Sequence, residues 1–403
     1  MHNDDKSAKI IMNTFDNNTQ FGDKVPVTTY KSARAVAGLV ASHFERHHVA
    51  AKRHYELELA PKPNAHIIET IIDTTFWASL RREEGRSPKV SLAYLTPEDA
   101  EKPLIFREPL KLTANSLTKL APAVERSGIH LGVWFDGNEL YIWGTTRVIP
   151  GLCFVLEVIE PGMLVIKHRR VDGFGKFVNV AVLKGDQVKI INEESGTVRD
   201  CPSLINSMIG FNSSSLWNDN LNVLVQLSVS MRDHGRGGIL LVVPHAKETW
   251  RDSIIHPISY AVEPAFSELA EIHKQYADEL SAVAWQSRLN SAVSNLAGLT
   301  AVDGATIIND RYELLAFGAK IGRAPYGLPV EEMLITEPIM GNEGMVVHPV
   351  QSGGTRHLSA AQFIHDQHDA IALVASQDGR FTIFSWSPCE KKVQAHRVDA
   401  LLL

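Results

Sequence analysis

Hydrophobic and polar residues alternate along the N-terminal half of the chain with two different periods. Over residues 30–57, apolar positions recur every three or four residues among good helix formers, which predicts an amphipathic helix leading into a strand. A second helix is predicted over 66–86, and turn signals and short β-like runs follow it. From 129 to 192 the pattern changes to strand-like runs, beginning with two strands about an Asp-Gly-Asn turn. This half therefore predicts an α+β domain built on an antiparallel meander.

The C-terminal half alternates helices with apolar strands. A helix over 222–235 leads through a Gly-rich turn into the apolar run ILLVVP. A long helical stretch over 258–297 precedes a strand–turn–strand unit over 299–321. A helix over 359–365 and the two strand-like runs DAIALVAS and FTIFSW close the chain. This order predicts a mixed central sheet flanked by helices.

Length and composition indicate two domains in a chain of the α/β (α+β) class. The chain has 403 residues, of which 44% are hydrophobic and 21% charged, as in an ordinary globular protein. The stretch 200–220 is rich in Ser, Asn and Gly, which favours a domain boundary there. We therefore predict an N-terminal arm over 1–25, an α+β domain over 26–210 and a second domain over 221–403.

Charge, cysteines and targeting patterns exclude several classes of protein. The formal net charge of -6 gives no overall attraction to nucleic acid or anionic lipid, so an anionic ligand needs a specific site. Cys153, Cys201 and Cys389 are too far apart to form a CxxC metal site or a disulfide framework. The first 25 residues lack the apolar core of a secretory signal, and no apolar run approaches the roughly 20 residues that span a bilayer. We expect a cytoplasmic protein without a membrane partner.

The first candidate motif is Asp303-Gly304-Ala305, at a chain reversal between apolar strands. Glycine lets the backbone approach a ligand closely, and a carboxylate can hold a divalent metal ion or accept a proton from a sugar hydroxyl. An Asp-Gly pair between apolar runs is also an ordinary turn. The motif alone therefore leaves both interpretations open.

The second candidate motif is the Gly-rich run 353–357 (GGTRH), which precedes a helix. Backbone N–H groups at a helix start favour an anion, Thr355 adds a hydroxyl, and the planar guanidinium of Arg356 suits phosphate oxygens. The alternative is a loop with Thr355 as helix N-cap, a solvated Arg356 and a structural His357.

The two motifs together, in this order and between the expected elements, resemble the diadenylate cyclase domain of the DNA-integrity scanning protein and its membrane-bound and soluble relatives. The resemblance covers about residues 221–386, through GRGGILLVVP, AVDGATIIND, GGTRHLSAA and DAIALVASQDGRFTIF. It implies that two facing domains each hold one ATP and join them into cyclic di-AMP, with release of two pyrophosphates. It also implies an active homodimer, since one domain cannot close the ring. Beside such a cyclase domain, the domain over 26–210 is expected to be a sensor or regulatory module.

The resemblance assigns roles to residues that match the family motifs. Asp303 is expected to bind Mg²⁺ or Mn²⁺ and to help activate the ribose 3′-hydroxyl. Arg356 and His357 are expected to act with it on the triphosphate. The expected substrate-binding residues are Gly304, Ala305, Ile321, Gly354, Thr355 and Ser376. The stretch 317–321, which follows the Asp-Gly-Ala hairpin, is where adenine contacts are expected.

The sequence departs from the family pattern at three places and leaves alternatives open. Leu358 stands where the family commonly has arginine, a Ser-Gln-Asp turn over 376–378 replaces a Ser-Glu turn, and Val302 replaces a histidine. The alternative function is a catalytically weak regulator that binds ATP or a cyclic dinucleotide. A third hypothesis gives the main function to the N-terminal half. The DNA-binding helices of the scanning protein have no counterpart here, so DNA binding is not expected.

Two other patterns are interpreted as structural. His43, His47, His48 and His54 crowd one predicted helix, and His43 and His47 lie four residues apart; without an HExxH motif, a solvated polar face is the prediction. The run 173–176 (GFGK) lacks the spacing of a phosphate loop and predicts a hairpin.

Overall fold

The computed structural model describes residues 29–54, 59–171, 177–192, 219–274 and 282–403. The chain divides into two compact units, Met1–Ile190 with Leu403, and Ile191–Leu402. Most of the predicted boundary region 200–220, the N-terminal arm and the run 173–176 lie outside the described residues. The predicted domain limits therefore stay predictions.

The first unit combines helices with one sheet. Its described helices are α1 (Lys31–His54), α2 (Ala65–Ser79) and α3 (Ala114–Val124). Its described strands are β1 (Ser91–Tyr94), β2 (Leu104–Lys111), β3 (His130–Phe135), β4 (Leu140–Thr146), β5 (Phe154–Glu160), β6 (Met163–Arg169), β7 (Phe177–Lys184) and β8 (Gln187–Ile190).

The sheet of the first unit has the strand order β2-β4-β3-β1-β5-β6-β7-β8. Strands β5 to β8 form the predicted antiparallel meander, and β3 and β4 form the predicted hairpin. Asp136 holds the hairpin turn, since its carboxylate accepts hydrogen bonds from the backbone N–H groups of Asn138 and Glu139, both at 2.8 Å. The sheet is nevertheless mixed, because β1 pairs in parallel with β3.

Two helix predictions for this unit need correction. The second helix ends at Ser79 rather than near residue 86. A helix that reaches residue 86 is ruled out by the positive φ angles of Glu84 and Gly85, which an α-helix cannot contain. Helix α3 lies where short β-like runs were expected. Thr113 caps it by accepting a hydrogen bond from the backbone N–H of Ser116.

The core of the first unit lies between α1, α2 and the sheet. Val36, Val40 and Phe44 are fully buried on one stripe of α1, as the helical period predicts. The Phe44 ring lies 5.5 Å from the ring of Phe154 on β5. The prediction of a solvated histidine face on α1 is wrong, because His43, His47 and His48 are all buried.

The second unit contains the helices α4 (Asp219–Asp233), α5 (Glu268–Lys274), α6 (Ala282–Leu299) and α7 (Thr355–Asp366). Its described strands are β9 (Gly238–Val243), β10 (Tyr260–Phe266), β11 (Ala305–Asn309), β12 (Leu314–Ala319), β13 (Met333–Thr336), β14 (Met345–Val347), β15 (Ile371–Ala375), β16 (Phe381–Ser387) and β17 (Lys392–Arg397).

These strands form one mixed sheet in the order β10-β12-β11-β9-β15-β16-β17-β13-β14. Strand β9 runs parallel to β11, whereas β12 and β15 run antiparallel to them. The two parallel strands therefore begin at the same edge of the sheet at which β12 and β15 end. Two sheets with helices confirm the predicted α+β class.

The prediction of one long helical stretch over 258–297 is wrong. Residues Tyr260–Phe266 form an edge strand paired with β12, and α5 and α6 follow. Pro264 lies within this strand, and an edge position tolerates the proline because one side of the strand donates no ladder hydrogen bonds. In the described part of the chain, no helix combines the length and apolar character needed to cross a bilayer.

Substitution of Phe44 by alanine is expected to destabilise the first unit by about 3–5 kcal/mol, because it empties a fully buried site. The matched control is Leu39→Ala on the same helix, where the side chain is 45% exposed and the expected change is under about 1 kcal/mol. Urea denaturation followed by circular dichroism would measure both. Equal destabilisation by the two substitutions would contradict the proposed core.

Candidate functional site

A cleft of about 190 Å³ lies in the second unit, at the sheet edge where β9 and β11 begin and β12 ends. The start of α7 forms its opposite wall. The residues that line it are Ile239, Asp303, Gly304, Ala305, Ala319, Lys320, Ile321, Thr355, Arg356 and Ser359. Both sequence motifs, far apart along the chain, thus contribute to one cavity.

The turn that carries Asp303 is held by a close backbone contact. Gly304 has φ +107°, and a Cβ atom on it would lie 2.5 Å from the carbonyl carbon of Gly318. Gly318 has φ +60°, and a Cβ atom there would lie 2.8 Å from the ring of Tyr260. That ring stacks on Phe317 with centroids 4.8 Å apart. Glycine at 304 and 318 therefore allows these two backbone segments to come into close contact. This contact places the exposed Asp303 at the cleft.

The opposite wall is the first turn of α7, which starts directly after Gly354. Gly354 is the N-cap residue and provides no side-chain cap. The first N–H groups of a helix have no intrahelical acceptor, so this end carries partial positive charge. Thr355 and Arg356 both line the cleft. The alternative in which Thr355 is the helix N-cap is wrong, because Thr355 is the first helical residue.

Arg356 lies against a second Gly-rich turn. A Cβ atom on Gly237, which has φ +72°, would lie 2.8 Å from Nη1 of Arg356. The Gln377 amide donates to the carbonyl oxygen of Arg236 at 3.3 Å, which keeps the turn after β15 close to this one. The small residue at 237 therefore provides the space in which the guanidinium sits.

His357 lies behind the cleft wall and is not among the lining residues. The ring is 6% exposed, and its Nε2 lies 3.3 Å from the hydroxyl of Thr382. It also makes an edge contact with Phe384. Burial is the main cause that lowers the pKa of His357, and Arg397 and Arg380 act in the same direction. The neutral ring thus packs against Thr382 and Phe384 of β16. Its predicted contact with a triphosphate stays a prediction.

Two further predicted residues flank the cleft without lining it. Gly354 precedes the first residue of α7. Ser376 begins the turn after β15, and its backbone N–H donates to the carbonyl oxygen of Arg380 at 2.9 Å. Their predicted substrate contacts stay predictions.

Ser359 and Ile239 line the cleft but were not expected from the sequence, whereas Lys320 lies within the stretch 317–321, where adenine contacts were expected. Ser359 follows Thr355 by one helical turn, so the helix period could have indicated it. Lys320 directly follows β12, and its carbonyl oxygen accepts a hydrogen bond from the N–H of Ile255 at 2.8 Å. That contact with a distant segment helps to fix the position of Lys320, and no local pattern predicts a cationic role for it.

The charges in the cleft suit a phosphate group with a divalent cation. Arg356 and Lys320 are the cationic lining residues, and Asp303 provides the carboxylate. Mg²⁺ is typically held by one or two carboxylates together with substrate phosphates. Leu358 packs partly buried against the core of the unit, so it adds no charge to the cleft.

Comparison with known proteins identifies a region of the first unit. Residues 57–147 match a family model described as a probable sensor domain, DACNV. Sensor domains of this kind accompany diadenylate cyclases. The match covers well under half of the chain and lies outside the cleft. No curated protein matches the chain.

Solved structures that match include a hypothetical membrane spanning protein from Bacillus cereus. The identity is 14% and the TM-score 0.23, with 44% of this chain and 63% of that chain covered. The chain thus spans less than two thirds of that protein's length. At this TM-score the likeness supports no inference about fold or function.

Substitution of Gly304 by alanine is expected to destabilise the second unit and to open the cleft. The unfavourable φ alone costs about 1–3 kcal/mol, and the contact with Gly318 adds to it. The control is Gly298→Ala near the end of α6, where a Cβ atom meets nothing within 4 Å and alanine is stabilising by up to about 1 kcal/mol. Thermal unfolding would compare them. An unchanged melting temperature for the Gly304 variant would contradict the proposed contact.

Proposed function

We propose that this chain is a diadenylate cyclase whose second unit binds ATP and whose first unit is a sensor that controls it. The observation that carries the proposal is the convergence of the two sequence motifs on one cleft. Asp303 and Arg356 belong to segments more than fifty residues apart in the numbering, yet both line the same cavity. The match to a sensor domain of the kind found with diadenylate cyclases supports the same conclusion.

The triphosphate would lie between Arg356, Lys320 and the first turn of α7. The two cations neutralise phosphate charge, and the helix start offers N–H donors. Ile321 and Ala319 give the cleft an apolar part next to these charges. We assign the adenosine to that side because a base is flat and largely apolar.

Asp303 and the phosphates would together hold Mg²⁺ or Mn²⁺. The bound ion would neutralise charge on the phosphates as the leaving group departs. Asp303 is exposed at a turn, so its carboxylate can bind an ion without giving up a contact in the core. The same carboxylate can accept a hydrogen bond from the ribose 3′-hydroxyl and orient it.

In the proposed reaction, each 3′-hydroxyl oxygen attacks the α-phosphorus of the ATP on the facing subunit. A P–O bond forms to the ribose, the bond to the β-phosphate oxygen breaks, and the hydroxyl proton is released. Two such transfers yield cyclic di-AMP and two pyrophosphates. The protein contributes positioning and charge neutralisation, which are the main requirements of phosphoryl-type transfer. A single cleft cannot supply both nucleotides, so an isologous dimer is part of the proposal.

A second candidate function is a regulator that binds ATP or a cyclic dinucleotide with little turnover. The observations that favour it are the packing of Leu358 into the core and the position of His357 behind the cleft wall. Both reduce the number of polar side chains available to phosphates. Nucleotide binding without product would support this function over the first.

Asp303→Asn is expected to lower cyclic di-AMP formation by about 10²–10³-fold or more, because it removes the metal-binding carboxylate. Purified protein would be incubated with ATP and Mg²⁺ or Mn²⁺, and the nucleotides identified by mass spectrometry. Glu331→Gln is the control, since Glu331 is an exposed carboxylate that does not line the cleft. Full activity of the Asp303 variant would refute the assignment. If parent protein binds ATP but forms no product at any concentration, the regulator function replaces the cyclase.

Lys320→Gln is expected to lower kcat/KM for ATP by about ten- to hundredfold, since a charge-assisted hydrogen bond to phosphate contributes about 1.5–3 kcal/mol. Lys274→Gln, at an exposed lysine at the end of α5, serves as the control. Initial rates over a range of ATP concentrations would separate KM from kcat. Identical kinetics for the two variants would show that Lys320 does not contact the substrate.

A further inference from the structure

Three buried histidines of the first unit meet at one point. His43 and His47 lie one turn apart on α1, and His168 lies on β6. One ring nitrogen of each residue lies within 4.8 Å of those of the other two. The ring centroids of His43 and His47 are 4.0 Å apart, and that of His168 lies 5.6 and 5.5 Å from them. The exposed fractions of the three residues are 4%, 5% and 0%.

The tautomer of His168 is set by its own backbone. Its Nδ1 lies 3.1 Å from the carbonyl oxygen of Arg169, and a carbonyl oxygen only accepts. Nδ1 therefore carries the proton, and Nε2 carries the lone pair. A backbone carbonyl that holds the second ring nitrogen is the usual support for a metal-binding histidine.

The protonation states of His43 and His168 also suit metal binding. Burial lowers the pKa of His43 to about 2, with contributions from His47, His168 and Arg46. Burial likewise lowers the pKa of His168 to about 3. Both rings are therefore neutral near pH 7, which is the form that binds a metal ion.

We propose that His43, His47 and His168 form a binding site for a divalent transition-metal ion, with Zn²⁺ as the best-matched ion. Three imidazole nitrogens leave a fourth position open in a tetrahedral site. Nitrogens bound to one tetrahedral zinc lie about 3.3 Å apart, as follows from Zn–N bonds of about 2.0–2.1 Å. Small side-chain rotations would bring the three nitrogens to that spacing.

Positive charge near the cluster does not favour the ion. Arg46 and Arg170 contribute to the lowered pKa values of His43 and His168. Because such charges oppose a bare dication, the affinity for the metal must come from the metal–nitrogen bonds rather than from the field of the protein.

This site goes beyond the proposed reaction and beyond the family match. All three histidines lie outside the matched residues 57–147. They also belong to the first unit, whereas the cleft belongs to the second. A bound ion would join α1 to the sheet through β6. Metal occupancy would therefore change the stability of the unit that resembles a sensor.

The test is zinc binding by the full chain at pH 7.5, after treatment with a chelator and removal of the chelator. All proteins would carry Asp303→Asn, so that the carboxylate of the cleft does not contribute. Competition with a chromophoric chelator is expected to show one tight site in this background. His43→Gln, His47→Gln and His168→Gln are each expected to weaken it by about 100-fold or more, since even an outer hydrogen-bonding partner contributes 10–100-fold. His48→Gln is the matched control and should stay within a few fold, because His48 is buried beside His47 but is not one of the three.

A second measurement does not depend on the folding of any variant. X-ray absorption of the zinc-loaded protein is expected to show imidazole scattering from three histidines at about 2.0–2.1 Å. A variant that carries His43→Gln, His47→Gln and His168→Gln together completes the set. The proposal is overturned if the chain binds no zinc tightly, if this triple variant binds zinc as well as its background, or if the absorption spectrum shows no histidine ligands.

Discussion

The cleft depends on one contact, the meeting of the Gly304 and Gly318 backbones at the end of the β11–β12 pair. Neither position has room for a side chain, and both have positive φ. The contact fixes the turn that carries Asp303 and, through Tyr260 and Phe317, joins it to the edge strand β10. The first turn of α7 forms the other wall of the cleft, so Asp303 and Arg356 line the same cavity.

The mixed direction of the strands explains where the cleft lies. In open parallel sheets, ligands commonly bind beyond the carboxyl ends of the strands. Here the parallel pair β9 and β11 begins at the cleft, and the antiparallel strands β12 and β15 end there. The glycines at 237 and 304 thus lie before strands, not before helices. The only phosphate-type helix start in the cleft is that of α7, among the described residues.

The histidines of α1 show how a sequence pattern can mislead. His43, His47 and His48 look like a polar face because histidine is usually exposed or half-exposed. In the structure these side chains instead face the sheet, and the rings of His43 and His47 contact the ring of His168 on β6. Burial then keeps the rings of His43 and His168 neutral. Burial makes the charged imidazole unfavourable and leaves neutral ring nitrogens, the form that binds a metal ion. The two histidines of α1 form a candidate site only together with His168 on a distant strand.

The sequence by itself determined the α+β class, the β3–β4 hairpin, the meander and the two motifs, because each follows from local periodicity and turn chemistry. It did not determine that Tyr260–Phe266 is a strand, because that strand forms only through pairing with β12. It indicated the stretch 317–321 but not a cationic role for Lys320, whose place depends on a backbone hydrogen bond from Ile255. The tertiary structure alone decided that His357 lies behind the cleft and that His43 and His47 meet His168. Local pattern records which residues are neighbours in the chain, whereas long-range pairing and burial decide which side chains share a site.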